Sequence, residues 1–254
     1  MALPNSHYLQ FVKNIYSQCG EDGIIEQLFK DLKISSGVVV EFGAWDGVYI
    51  SNTVNLWKNK KFKSILIESD SAKCIDLTSN CGHLDNVECI NKFVNPDPNH
   101  EDSLDNILST SKFKITSSNF SLISIDVDTC DYHIFESMVK YRPKVVVIET
   151  NTNYGPDQDY ISSNGSSLKS ITDLAERKGY KLVCHTGNAF YVRNDLINYL
   201  PDKDYSIHNL FVPTPEVETL QRISPEGKDF GSLYWLSEQY KTMILDTIEN
   251  FKMS

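Results

Sequence analysis

Apolar residues fall along this chain in short blocks, separated by polar, turn-forming stretches. Val38-Val39-Val40-Glu41-Phe42, Ser64-Ile65-Leu66-Ile67, Phe120-Ser121-Leu122-Ile123-Ser124-Ile125 and Val145-Val146-Val147-Ile148 have strand length and many β-branched residues, the mark of strands buried on both faces. They predict strands from Gly37 to Phe42, Ile65 to Glu68, Phe120 to Asp126 and Val145 to Glu149, with a weaker one from Val87 to Ile90. Between them the apolar spacing becomes helical. Helices are expected from Ile24 to Phe29, from Ser51 (as N-cap) to about Trp57, from Ser71 to about Asn80, and from Leu104 to Leu108. Two more are expected from Tyr132 to Lys140, closed by Pro143, and from Leu168 to Lys178, with Gly179 as its stop. Tyr180 to His185, the turn Thr186-Gly187 and Asn188 to Val192 read as a hairpin.

Strands alternating with helices build a parallel sheet. Five β-α steps and a closing hairpin predict an α/β, Rossmann-like fold: seven strands, mostly parallel, in the order 3-2-1-4-5-7-6, with helices on both faces. The polar stretch Asn151 to Ser166 is long for a compact domain and is a candidate lid. Residues 1–196 form the expected main domain, with a helical flap at its start. Residues 197–254 carry Pro201, Pro213 and Pro215, then aromatic residues and a C-terminal helix, and are expected to pack on the same domain. Phe211, Phe230, Tyr234 and Trp235 there either bury a homodimer interface or pack back on the parent sheet.

Composition narrows the partners. With 34 acidic against 24 basic residues the net charge is −10, which disfavours nucleic acid and anionic membranes in the absence of a basic patch. The apolar runs fall far short of the roughly 20 residues needed to span a bilayer, and the first residues show no secretory pattern. The six cysteines, at 19, 74, 81, 89, 130 and 184, fit no disulfide framework and no zinc spacing. Reduced thiols and a cytoplasmic location are therefore expected.

The chemistry begins where the first strand ends. Glu41-Phe42-Gly43-Ala44-Trp45-Asp46-Gly47 puts an acid and a two-glycine turn at a strand tip, and Glu68 closes the second strand. Glycines let backbone approach a ligand, and an acid at the second tip suits ribose hydroxyls. The spacing is not the G-x-G-x-x-G that cradles a pyrophosphate. Crowded carboxylates fit a ligand without phosphates, and the positively charged sulfonium of S-adenosylmethionine (SAM) suits them. Glu41, Gly43, Ala44, Asp46 and Gly47 are expected around its methionine part, with Glu41 or Asp46 at the ammonium group and Glu68 at the ribose. Ser51 and Asn52 are placed at a helix N-terminus, where amides favour a carboxylate, although capping explains Ser51 as well. Gln18, Gly20 and Asp22 precede the sheet and either cover the cofactor or cap the first helix.

A second group of acids follows the fourth strand. Asp126, Asp128 and Asp131 are joined by Glu149, Thr150 and Asn151 from the fifth, and the two tips should share one cleft. Converging carboxylates need a cation, a proton or a substrate hydroxyl between them. His133 is a natural general base, or else a histidine facing solvent. Asp126, Asp128, His133 and Glu149 are the candidate catalytic residues.

Several motifs then occur in one order: Ser17-Gln18-x-Gly20-Glu21-Asp22-Gly23, Glu41-Phe42-Gly43-Ala44-x-Asp46-Gly47, Ser51-Asn52-Thr53, Ile125-Asp126-Val127-Asp128, Asp131-Tyr132, Arg142-Pro143 to Glu149, and Phe190-Tyr191-Val192-Arg193-x-Asp195-Leu196. From about residue 15 to 196 the chain resembles the FkbM-like class I SAM-dependent methyltransferases, in particular the bacterial branch found with surface-polysaccharide genes. That resemblance implies O-methylation of a sugar hydroxyl, with a nucleotide-linked sugar of capsule or lipopolysaccharide synthesis as the expected acceptor. An N-methyltransferase for an amino-sugar or amine would share every cofactor residue, and a non-catalytic SAM-binding protein would keep the fold. By analogy with catechol-type methyltransferases, Asp126, Glu149 and Asn151 would hold Mg²⁺ or Mn²⁺; the rival is a metal-free site.

Overall fold

The β-branched runs do form the strands that position everything else. A computed structural model describes residues 6–127, 130–162, 165–214 and 217. Five parallel strands are β1 (Val38–Phe42), β2 (Lys63–Glu68), β3 (Val87–Asn91), β4 (Phe120–Ile125) and β5 (Val145–Glu149); the hairpin supplies β6 (Tyr180–His185) and β7 (Asn188–Arg193). The sheet order is β3-β2-β1-β4-β5-β7-β6. Only β7 runs antiparallel to its neighbours β5 and β6, as the hairpin reading requires.

Each central strand is apolar on both faces because each face is covered. Val38, Val40 and Phe42 pack with α3 (Leu104–Ser109), α4 (Asp131–Ser137) and α5 (Leu168–Arg177). Val39 points the other way, toward Ile25 and Leu28 of α1 (Glu21–Asp31), and Leu66 meets Leu77 and Cys81 of α2 (Ser71–Cys81). This period of two is the pleat itself. It puts Glu41 on the α1 side, next to Ser124 of β4 in register.

Two helices depart from the sequence pattern. The stretch predicted from Ser51 to Trp57 is a short π-helical turn at Asn55–Asn59. Ser51 caps locally, accepting from the Thr53 and Val54 amides, but its hydroxyl is also drawn to Glu41. α4 stops at Ser137 instead of running to Lys140. The Val139 and Lys140 amides donate instead to Asp105 Oδ2, at 2.9 and 2.8 Å, so a side chain more than thirty residues upstream takes donors that would have continued the helix.

Past the hairpin come a 3-10 stretch at Asn194–Tyr199 and the one-turn α6 (Ile207–Leu210). Leu200 enters the apolar cluster on the α1 side and Leu210 the opposite one. The expected C-terminal helix, with Phe230, Tyr234 and Trp235, lies outside the described residues. Among the described residues no helix is long and apolar enough to cross a membrane.

Candidate functional site

Three strand tips converge on Gly43. The Ala44 amide donates to the Ile67 carbonyl at 3.1 Å, and the Trp45 amide to Glu68 Oε2 at 2.8 Å. The other Glu68 oxygen accepts from the Asp70 amide, also at 2.8 Å. Glu68 is buried, and a carboxylate with two oxygens keeps lone pairs for further donors. From the other side, the Asp126 carbonyl stands only 1.9 Å from where a Cβ on Gly43 would be. With φ at +75°, this is a position for glycine. Between the tips opens a cleft of about 320 Å³, walled by Gly43, Trp45, Glu68, Phe93, Val94 and Asp126.

The loop continues into a second hollow. Asp46 Oδ1 accepts from the Val48 and Tyr49 amides at 2.9 and 2.7 Å, which turns the chain sharply. A space of about 560 Å³ lies between this turn and the segment before α1, with Asp46, Gln18, Tyr16 and Tyr49 among its walls. Gln18 and Asp46, far apart in sequence, thus face one hollow, while Gly43, Glu68 and Asp126 face the other. Trp45 and Ile50 both hold positive φ, +49° and +51°, and both are exposed. For a β-branched or bulky residue this is a strained backbone, of the sort that collects at ligand sites.

The segment carrying Gln18 is held by two buried acids. Asp22 Oδ2 accepts the Ile15, Tyr16 and Ser17 amides at 2.7–2.9 Å and the Ser17 hydroxyl at 3.0 Å. Glu21 accepts the Cys19 amide and the Asn188 side chain, at 2.7 and 2.8 Å. Of the capping candidates it is Gly20, at φ +89°, that takes the N-cap position, and neither carboxylate caps the helix. Burial holds both carboxyls above their ordinary range.

Glu41 has a comparable role. It accepts from the Ser51 hydroxyl at 2.5 Å, the Thr53 hydroxyl at 2.6 Å and the Asn52 amide at 2.9 Å. The Asn52 side chain in turn donates to Ser124 Oγ at 3.0 Å. Burial pushes the Glu41 carboxyl up, against the pull of these donors. Glu41, Ser51 and Asn52 are therefore brought together, but facing one another beneath the glycine loop.

The acids of the second group stand at neighbouring tips. Ile125 pairs with Ile148 in register, so Asp126 and Glu149 extend side by side from β4 and β5. Asp128 lies outside the described residues. Asp131 is buried and accepts the Val127 amide at 2.9 Å, fixing the turn that carries Asp126. The Asn151 amide donates to the Ser166 carbonyl at 2.9 Å, and its side chain accepts the Asn153 amide at 3.2 Å. Among the described residues, no three or more His, Cys, Asp or Glu side chains are grouped to hold a metal. The Mg²⁺ or Mn²⁺ expected at Asp126, Glu149 and Asn151 finds no support there. His133 is half exposed on α4, with Nδ1 3.8 Å from Glu136 on the same helix. That is the solvent-facing alternative. The stretch after Asn151 is tied down: Tyr154 stacks on Tyr160 at 4.0 Å, and the Tyr160 amide donates to Ser170 Oγ at 2.9 Å.

The strand order, with its antiparallel seventh strand, is that of the class I SAM-dependent methyltransferase fold. Neither a protein-family model nor a curated protein matches the sequence. Among solved structures, the chain is similar to a SAM-dependent methyltransferase from Aquifex aeolicus at 14% identity and TM-score 0.42, covering 66% of this chain and 88% of that one. It is similar to a TehB-like SAM-dependent methyltransferase from Corynebacterium glutamicum at 12% identity and TM-score 0.40, covering 71% and 89%. A geranyl diphosphate C-methyltransferase from Streptomyces coelicolor, solved with Mg²⁺, geranyl diphosphate and S-adenosyl-L-homocysteine, matches at 12% identity and TM-score 0.44, covering 90% and 74%. At such scores the likeness says nothing of the reaction or the acceptor.

Sequence reasoning missed part of the cleft wall. Trp45, Ser69, Lys73, Phe93 and Val94 all line it, and Lys73 Nζ sits 3.7 Å from the centre of the Trp45 ring. Their signal was position: Ser69 and Phe93 lie just beyond the carboxyl ends of β2 and β3, where ligands of parallel sheets bind.

Proposed function

We propose that this chain is a SAM-dependent O-methyltransferase acting on a sugar hydroxyl, with a nucleotide-linked sugar of surface-polysaccharide synthesis as the acceptor. The observation that carries the cofactor reading is Glu68, a buried carboxylate that fastens the glycine turn and lines the same cleft as Gly43 and Asp126. The residues fit the ligand. Glu68 would accept the ribose hydroxyls, Phe93 and Val94 offer apolar surface to the adenine, and Gln18 and Asp46 would hold the methionine end. Glu41, Ser51 and Asn52 brace the loop from below.

SAM supplies, when bound, an electrophilic methyl group on a positive sulfur. The chain's own task is to orient the acceptor and accept its proton. Asp126 and Glu149, side by side at the tips of β4 and β5, suit a hydroxyl held between two oxygens. With His133 facing solvent, one of these carboxylates serves as the general base. Orientation supplies most of the acceleration, as expected for an intrinsically reactive donor. The sugar and its polysaccharide setting rest on the family resemblance from about residue 15 to 196.

Titration calorimetry tests the cofactor. Glu68→Ala should weaken SAM binding by about 1–3 kcal/mol, since a buried partner for polar groups is lost; unchanged affinity would remove Glu68 from the site. Incubation with isotopically labelled SAM and a panel of nucleotide-linked sugars tests the acceptor. The expected product is a sugar heavier by one methylene unit. Label transferred only to amino-sugars would point to N-methylation, and no transfer despite SAM binding would favour a non-catalytic role.

A further inference from the structure

Beneath the glycine loop lies a pair of thiols that the proposed reaction does not use. Cys81 is the last residue of α2 and fully buried; Cys89 is the third residue of β3 and half-buried. Both sulfurs reach the Leu77 carbonyl, at 3.2 Å from Cys81 and 3.8 Å from Cys89, which makes the two thiols neighbours across the α2–β3 seam. The Cys81 sulfur also occupies the space beside Gly47: a Cβ there would stand 2.7 Å from it. Cys81 thus shares a carbonyl with a second thiol and packs against the loop on which the proposed cofactor site is built.

We propose that Cys81 and Cys89 are a reversible disulfide site, oxidised by a peroxide, whose closure loosens the Gly43–Gly47 loop. The two thiols are unequal. The neighbouring Cys81 thiol, with Lys112 nearby, holds Cys89 below the ordinary thiol range, whereas the Cys89 thiol and burial push Cys81 up. Cys89, the partly exposed thiol, is the one suited to react first. Its thiolate attacks the peroxide, forming an S–O bond as the O–O bond breaks and hydroxide leaves. Cys81 then attacks that sulfur, the S–S bond forms, and the oxygen departs with the Cys81 proton as water. Two thiols lose two electrons and the peroxide is reduced. To make the bond, the Cys81 sulfur turns toward β3 and withdraws its packing from Gly47. The effect on SAM rests on the cofactor reading above; the disulfide does not.

Reduced protein treated with one equivalent of hydrogen peroxide should lose two hydrogen atoms in intact mass, reversed by dithiothreitol, with a linked Cys81–Cys89 peptide pair. Cys89→Ser should abolish the loss and Cys74→Ser should retain it. Oxygen addition without a cross-link, or a link made through Cys74, overturns the site. Calorimetry on both forms should give SAM affinity about fivefold or more weaker after oxidation. Equal affinities overturn the coupling. If neither form binds SAM, the cofactor reading and the coupling both fall, and the mass measurement still decides the disulfide.

Discussion

Gly43→Ala should destabilise the protein by about 3–5 kcal/mol and abolish measurable SAM binding, the sum of a methyl group forced into a filled space and a left-handed backbone denied to alanine. The Cβ would stand 1.9 Å from the Asp126 carbonyl oxygen, 3.0 Å from its carbon and 3.3 Å from a Val127 methyl. The first two are backbone, so no rotamer change relieves the overlap. Relief requires the β1 turn to part from the tip of β4, and the Trp45 amide, two residues on, donates to Glu68 at 2.8 Å. Parting the tips therefore disturbs the carboxylate as well. Gly155→Ala is the matched control: among the described residues, the only atom near its Cβ is a Gln158 side-chain oxygen at 3.6 Å. Urea unfolding and SAM calorimetry on both variants make the comparison. A Gly43→Ala protein with the midpoint and affinity of the parent would show that the two tips do not meet as described.

The same contact explains how far the sequence could be read. β1, β4 and β5 announce themselves because a strand covered on both faces must be apolar throughout, and only strands at the centre of such a sheet need be. Gly43, Glu68 and the Asp126–Glu149 pair were legible for a related reason: they are costly residues at strand tips, where an acid or a glycine needs a local explanation. Partners distant in sequence were not legible. Asp105 ends α4 from another helix, and nothing near Lys140 signals it. Glu41 was read as facing a ligand, since an acid ending a strand gives no hint that Ser51, Asn52 and Thr53 will fold back onto it. Asp22 was read as a cover for the cofactor or a helix cap, yet it and Glu21 gather the amides of the preceding loop. Periodicity reports which face is buried; it does not report which donors a buried oxygen will find.

His185 should make the protein acid-sensitive beginning near pH 6.5, well above the range in which carboxylates titrate. The ring is fully buried at the end of β6 and stacks on Phe211 at 5.6 Å. Its Nδ1 accepts the Val212 amide at 2.9 Å, so the proton of the neutral ring belongs on Nε2, which donates to the Thr150 hydroxyl at 2.8 Å; that hydroxyl passes its own proton to the Gly187 carbonyl at 2.6 Å. Every position is taken by the neutral form, and burial lowers the pKa from 6.5 to about 3. Above pH 6.5 neither the folded nor the unfolded chain carries the proton, and His185 adds no pH dependence. Below it the unfolded chain binds a proton that the folded chain refuses, so stability falls as pH falls, by about 1.4 kcal/mol per pH unit, until the folded pKa is reached. Glu21, Asp22 and Glu41 work in the opposite direction: raised by burial, they stay protonated in the folded chain where the unfolded chain has already ionised, so their contribution is lost as pH rises. His185→Gln separates the two, because it keeps an amide able to donate and accept but removes the titration. The difference in unfolding free energy between parent and variant should be flat from about pH 8 to 6.5 and then shrink steeply toward about pH 4.5. Parallel curves across that range would mean that the imidazole is reached by water and titrates alike in both states.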